Sequence, residues 1–235
     1  MQRKVLLACF LVCSLFLFIL IVFQTSKNRA ETDANPIYIN LPQPRYTSDV
    51  SIEEAIQNRR SIRDYKDEAL TLSVLSQILW SAGGITDKRR GLRAAPSAGA
   101  TYPLEIYVAA GNVKDLNRGI YKYVSLGHKL IKVIDGDKRQ ELCKACLGQS
   151  WVRKGAFVLI FTAIYERTTK RYGERGMRYV HIEVGHSSEN VYLQAVSLNL
   201  GTVAIGAFYD EEIKKILKLP DNEEPLYLMP VGRLK

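Results

Sequence analysis

Arg59-Arg60-Ser61-Ile62-Arg63 puts three guanidinium groups and a hydroxyl within five residues. A guanidinium is a planar fork that matches phosphate oxygens two at a time, and a serine hydroxyl adds a donor. Phosphate binding is the chemistry this cluster offers. Taken alone, a solvated basic helix end explains it more simply, because cations suit the negative end of a helix dipole. A second segment, Pro96-Ser97-Ala98-Gly99, leads through Tyr102-Pro103 into an apolar run. Such small residues let a flat ligand approach the main chain. An ordinary turn feeding a strand is the plainer reading. Ile205-Gly206-Ala207-Phe208 offers backbone N–H groups at a strand end, and Pro230-Val231-Gly232-Arg233 supplies a late Arg that could join the first cluster.

Other candidates are weaker. Gly185-His186-Ser187-Ser188-Glu189-Asn190 lies inside a helical pattern, where a glycine more often admits a neighbouring helix than a ligand. Lys122 and Tyr123 could act as general base or acid, or be plain strand residues. Cys143-Lys144-Ala145-Cys146 has no second pair and no His cluster beside it, so a metal or redox role lacks context.

The elements that must position these residues follow from pattern. Ser51-Ile52-Glu53-Glu54 is a capping box that opens a helix to about Arg59. Thr71 caps a second helix, with Leu72, Leu75, Ile78, Leu79 and Ala82 on one face, closed by Gly83-Gly84. Strands are expected at 104–110, 120–124, 129–134, 202–205 and 226–231. Residues 156–164 are almost all apolar, which predicts a central strand buried on both faces. Helices are expected at 137–147, 179–200 and from Asp210 to Pro220. Helices and strands mix without a regular βα repeat, which predicts the α+β class.

The chain has 235 residues, 47% hydrophobic and 24% charged, which excludes wholesale disorder. Four Cys are too few for a disulfide scaffold. The net charge of +9 invites nucleic acid or an anionic membrane. Four of the 33 basic residues and none of the 24 acids lie in the first 30 positions, leaving +5 for the rest. Those four flank Val5 to Phe23, an uncharged run long enough to span a bilayer. The expected organisation is therefore a membrane anchor or signal at 1–24, a proline-containing linker at 25–50 and a domain at 51–235. An uncleaved single-pass anchor is favoured, with the domain tilted towards the outside of the cytoplasm. No nucleic-acid-binding motif accompanies the residual charge, so nucleic acid is not expected as a partner.

In their order and spacing together, the five segments resemble the nitroreductase family of FMN-dependent oxidoreductases. The nearer match is the branch that includes the azoline-oxidising dehydrogenases of thiazole/oxazole peptide maturation. The resemblance covers Ser51 to Arg233. It implies a nitroreductase-like α+β fold, with a central, mostly antiparallel sheet flanked by helices. It also implies a homodimer with FMN at the interface. The implied reaction moves hydride or electrons through flavin N5 to or from a small organic substrate, with NADH or NADPH as candidate donor. By this resemblance Arg59, Ser61 and Arg63 contact the FMN phosphate, ribityl chain or ring edge, with Arg60 beside them. Gly232 and Arg233 complete the phosphate site. Pro96, Ser97, Ala98 and Gly99 line the isoalloxazine, and Ile205, Gly206 and Ala207 face it from the other side. Arg93 could serve the N1–C2 edge, where positive charge stabilises the reduced anion. No catalytic residue and no metal ligand are assigned. Glu189 stands where relatives often have Gln, and Tyr102 where they often have a Leu-like residue. The N-terminal region is shorter than azoline oxidases usually carry, which weighs against peptide maturation. Two alternatives stay open: an azoline-to-azole dehydrogenase, and a non-catalytic, membrane-tethered flavin-binding protein.

Overall fold

Apolar residues at alternating positions build a sheet with two covered faces. The computed structural model describes residues 37–235. Its strands are β1 (Tyr38–Asn40), β2 (Tyr65–Lys66), β3 (Ile85–Asp87), β4 (Leu92–Arg93), β5 (Leu104–Ala110), β6 (Gly119–Val124), β7 (Lys129–Asp135), β8 (Phe157–Ala163), β9 (Leu200–Thr202) and β10 (Glu224–Leu234). Its helices are α1 (Ile52–Asn58), α2 (Leu72–Gly83), α3 (Arg139–Ala145), α4 (Trp151–Lys154), α5 (Glu166–Tyr172), α6 (Arg175–Ser197) and α7 (Asp210–Leu217). The main sheet runs β1-β7-β6-β5-β8-β10-β2, with β9 also on β10. Its ladders are antiparallel. The expected α+β fold with a central antiparallel sheet is what forms.

β8 is buried along its whole length, as its continuous apolar run predicts. Phe157, Leu159, Phe161 and Ala163 join a core with Leu75, Ile78 and Leu79 of α2 and Val180, Val184 and Val191 of α6. Val158 and Ile160 point the other way, into a core with Leu142, Val152, Ile213 and Leu217. The long helix α6 thus lies on one face and the shorter helices α3, α4 and α7 on the other. Ser51 caps α1 by accepting from the Glu54 N–H, and Thr71 caps α2 through Val74.

Two expectations change. The segment 25–50 is not all linker. Ile39 and Leu41 are apolar, and β1 adds an edge strand to β7, with Tyr38 opposite Ile131. Ser76 Oγ then donates to the Pro42 carbonyl at 2.5 Å, and Gln77 binds the Arg45 backbone twice. The membrane localisation is also corrected: among the described residues no helix is long and apolar enough to cross a bilayer. The run 5–23 that suggested an anchor lies outside the described residues.

One backbone detail places the first candidate cluster. Gly232 of β10 sits opposite Gly201 of β9. A Cβ on Gly232 would come within 2.7 Å of the Tyr65 side chain, and one on Gly201 within 2.7 Å of Ile62. The Ile62 N–H donates to the Thr202 carbonyl at 2.8 Å. Two glycines therefore let Arg59–Arg63 lie flat against the sheet. Gly232→Ala is expected to cost about 1–3 kcal/mol through this overlap. Urea unfolding checks it, and a loss below about 0.5 kcal/mol would contradict the packing.

Candidate functional site

The predicted residues gather in two places along α6. The first surrounds Tyr192, which sequence reasoning missed. Its hydroxyl lies 3.1 Å from Ser61 Oγ and accepts from the Ala204 N–H at 2.7 Å. The Arg59 guanidinium sits over its ring at 5.3 Å and 3.9 Å from Glu189 Oε1. One buried tyrosine thus ties the Arg59–Arg63 segment to the chain entering Ile205, Gly206 and Ala207. Ile205 is buried through its bridge to Leu228, whereas Gly206 and Ala207 are exposed. The Ala207 carbonyl accepts from Gln149 Nε2 at 3.0 Å. The N–H groups of Gly206 and Ala207 serve no helix or strand, so donors stand at an open strand end.

The remaining cluster residues diverge. Arg63 reaches the Trp151 ring, 5.7 Å from its centroid. Arg60 turns back onto the carbonyls of Gln57 and Arg59. Arg233 donates to the Leu198 carbonyl at 3.2 Å and pairs with Glu68 at 3.3 Å. The cause is local: α6 ends at Ser197, and its orphan carbonyls attract the nearest cation.

The second place is the loop Pro96–Gly99, by the earlier part of α6. Ser97 Oγ accepts from the Tyr102 N–H at 2.9 Å and lies close enough to Glu183 to act on its carboxyl. Gly99, Ala100 and Tyr102 all have positive φ. At Gly99, with φ +59°, a Cβ would come within 2.5 Å of Tyr172 Oη, so a larger residue there would be strained and would displace that ring. The Arg93 guanidinium lies over the Tyr102 ring at 4.4 Å. Glu183 is 5% exposed, and burial raises its carboxyl to about 7, against the pull of the Ser97 hydroxyl and Arg93. An acid on an otherwise apolar or small-residue helix face was the available signal for it.

Several candidates do not join these places. The Tyr123 hydroxyl is held 2.8 Å from His128 Nδ1, and burial raises its pKa. Lys122 faces the opposite side of the sheet and pairs with Glu105 at 3.1 Å. Cys143 and Cys146 are buried free thiols, and burial pushes Cys146 up to about 12. A cavity of about 460 Å³ between residues 45–52, α2 and α6 contains none of the predicted site residues. Among the described residues, no cluster of His, Cys, Asp and Glu could hold a metal ion.

Comparison with known proteins settles the family. The model of the nitroreductase family matches residues 56–233. The chain belongs to the nitroreductase family. MJ1384 of Methanocaldococcus jannaschii, a protein named as a nitroreductase, is 51% identical over 185 residues, 79% of this chain and 92% of that one. The microcin B17-processing protein McbC of Escherichia coli is 26% identical over 156 residues, 64% of this chain and 57% of McbC. The FMN reductase (NADPH) of Bacillus subtilis is 24% identical over 193 residues, covering 76% and 64%. The crystal structure of a Ralstonia eutropha protein named as a nitroreductase superposes with a TM-score of 0.75 at 28% identity, covering 84% of this chain and 90% of that one.

Glu183 makes a pH prediction. Its folded pKa is raised from 4.5 to about 7, so the native state holds a proton that the unfolded chain releases. Stability from this group is present below pH 4.5 and is lost as pH rises to about 7. Relative to Glu183→Gln, the native chain should lose up to about 3 kcal/mol across that window. Urea titrations at both ends measure it, and a constant difference would contradict the assignment.

Proposed function

We propose that this chain is an FMN-dependent oxidoreductase that works as a homodimer and transfers hydride or electrons between NADH or NADPH and a small organic substrate. The observation that carries the reading is the pairing, through Tyr192, of a cationic donor set with an open strand end of small residues. When bound, FMN supplies a ring that accepts and donates hydride at N5. Arg59 and Ser61 fit its phosphate, since both carry donors and both contact Tyr192, one at its ring face and one at its hydroxyl. Arg63 would hold the ribityl chain or ring edge, and Arg233, with Gly232, would add a second phosphate contact. Gly206 and Ala207 offer N–H donors to the ring carbonyls or N5.

The separation of the two places supports the dimer. Glu183, which lies beside Ser97, and Tyr192, which holds Ser61, are nine residues apart on α6, or about 13 Å. Within one chain the two ring-lining segments attach at well-separated points of one helix. A second copy, turned around, would bring Pro96, Ser97, Ala98 and Gly99 over the Gly206–Ala207 end of the first. The outer face of α6 suits this. Met177 and Ile182 are exposed there, as are Ile52 and Ile56 of α1. A Cβ on Gly185 would meet nothing within its own chain, so this mid-helix glycine gains its purpose from a close neighbour.

The likeness to McbC favours a second reading, an azoline-to-azole dehydrogenase acting on a peptide. The same flavin would then accept hydride from the heterocycle. An assay with an azoline-containing peptide separates the two, since only this reading expects azole formation.

The purified full chain should show flavin absorbance, or acquire it with added FMN, and bleach with NADH or NADPH. Arg59→Met should weaken FMN binding roughly 10- to 100-fold, the worth of one charge-assisted hydrogen bond. Fluorescence titration measures it. A chain that neither holds nor takes up FMN would overturn the proposal.

A further inference from the structure

The β5–β6 ladder ends early. Its last pair is Tyr107 with Lys122. Yet β5 begins at Leu104 and β6 runs on to Val124. Leu104, Glu105 and Ile106 stay paired to β8, while Tyr123 and Val124 stay paired to β7. The two strands therefore part like the prongs of a fork. A cavity of about 410 Å³ opens between them, lined by both prongs and by Arg93 from β4. That volume falls in the range of small-molecule sites.

The charges around the fork do not balance. Glu105 is the carboxylate of the lining, and its oxygens are already engaged, one by Arg167 at 2.5 Å and the other by Lys122 at 3.1 Å. Arg93 forms no ion pair among the described residues and is held by the Tyr102 ring. Glu183 is the other acid that acts on Arg93, and its raised pKa leaves it only partly ionised at neutrality. The buried Glu223 accepts from Thr162 and lies on the Tyr107 side. Arg93 and Lys122 thus outweigh Glu105 in a cavity whose other walls, Leu104, Ile106, Val124 and Ile131, are apolar. Such a lining suits an anion with an apolar body.

We infer that the fork between β5 and β6 binds a small organic carboxylate, with its charge on Arg93 and Lys122 and its apolar body between the strands. Tyr102, on which Arg93 stacks, follows Gly99 by three residues, so the fork adjoins the loop proposed to line the flavin. As the subsite of the acceptor substrate, the fork rests on that flavin reading. As a binding site, it does not.

Isothermal titration of the full chain with benzoate and with its uncharged isostere benzamide tests the inference. Benzoate should bind at least roughly tenfold tighter than benzamide, and Arg93→Met and Lys122→Met should each remove most of that preference. Circular dichroism checks that each variant folds, and if Arg93→Met does not, Lys122→Met decides. No benzoate binding, equal affinity for the two probes, or a preference indifferent to the substitution would overturn the inference. Flavin absorbance is read on the same samples. Protein that takes up flavin but does not prefer benzoate sinks the carboxylate site alone. Protein that prefers benzoate but takes up no flavin sinks the flavin reading and leaves the fork.

Discussion

Everything at the cationic end depends on the close approach allowed by Gly201 and Gly232. These two residues face each other across β9 and β10, and side chains of Ile62 and Tyr65 occupy the space that two Cβ atoms would fill. The Ile62 N–H is then fixed to the Thr202 carbonyl. With Ile62 fixed, Ser61 meets Tyr192 and Arg59 lies over the same ring. Tyr192 in turn fixes Ala204, and so sets where the chain leaves β9 for Gly206 and Ala207. A packing constraint of a few ångströms is therefore passed, through one tyrosine hydroxyl, to the whole donor set.

The same helix carries the other half of the proposed site. Glu183 belongs to the buried face of α6, as Tyr192 does, but about two and a half turns earlier. A rigid helix holds the two places at a fixed separation, which supports the proposal that a second copy supplies one wall of the ring. The sterically idle Gly185 lies between them in sequence, and the exposed Ile182 immediately precedes Glu183. In the proposed dimer, helix rigidity would link dimerisation to cofactor binding: losing the partner would remove half of the ring's walls and leave the phosphate donors untouched.

Much of this was legible in the sequence because local chemistry agreed with the fold. Ser51 and Thr71 cap the helices they were expected to cap, and the apolar run of β8 is buried on both faces. Three features were not legible. β1 is only three residues long in a proline-containing stretch, so its pairing to β7 is decided by tertiary contact and leaves no periodic signal. The β3–β4 hairpin, whose last residue is Arg93, is hidden by the charged turn Lys88-Arg89-Arg90. The long helix begins at Arg175, before the expected Tyr179, because no side-chain cap marks its start. In the candidate site, residue types singled out Arg59, Arg63 and Arg233 as candidates, but not where each side chain turns. Arg233 goes to the carbonyls that end α6 and to Glu68, a choice that depends on two segments remote in sequence. Tyr192 was hidden because a buried tyrosine in a helix reads as core until its hydroxyl partners are known.

The central claim is that one flavin site needs two copies of this chain. FMN affinity and molecular mass measured together on Gly185→Arg test it most directly. A Cβ at this exposed position meets nothing within 4 Å in its own chain, so the fold should persist while a close helix neighbour is displaced. The account predicts a folded monomer whose FMN affinity falls by at least roughly 100-fold, because the ring loses one of its two walls. A monomer that binds FMN as tightly as the native chain would contradict it.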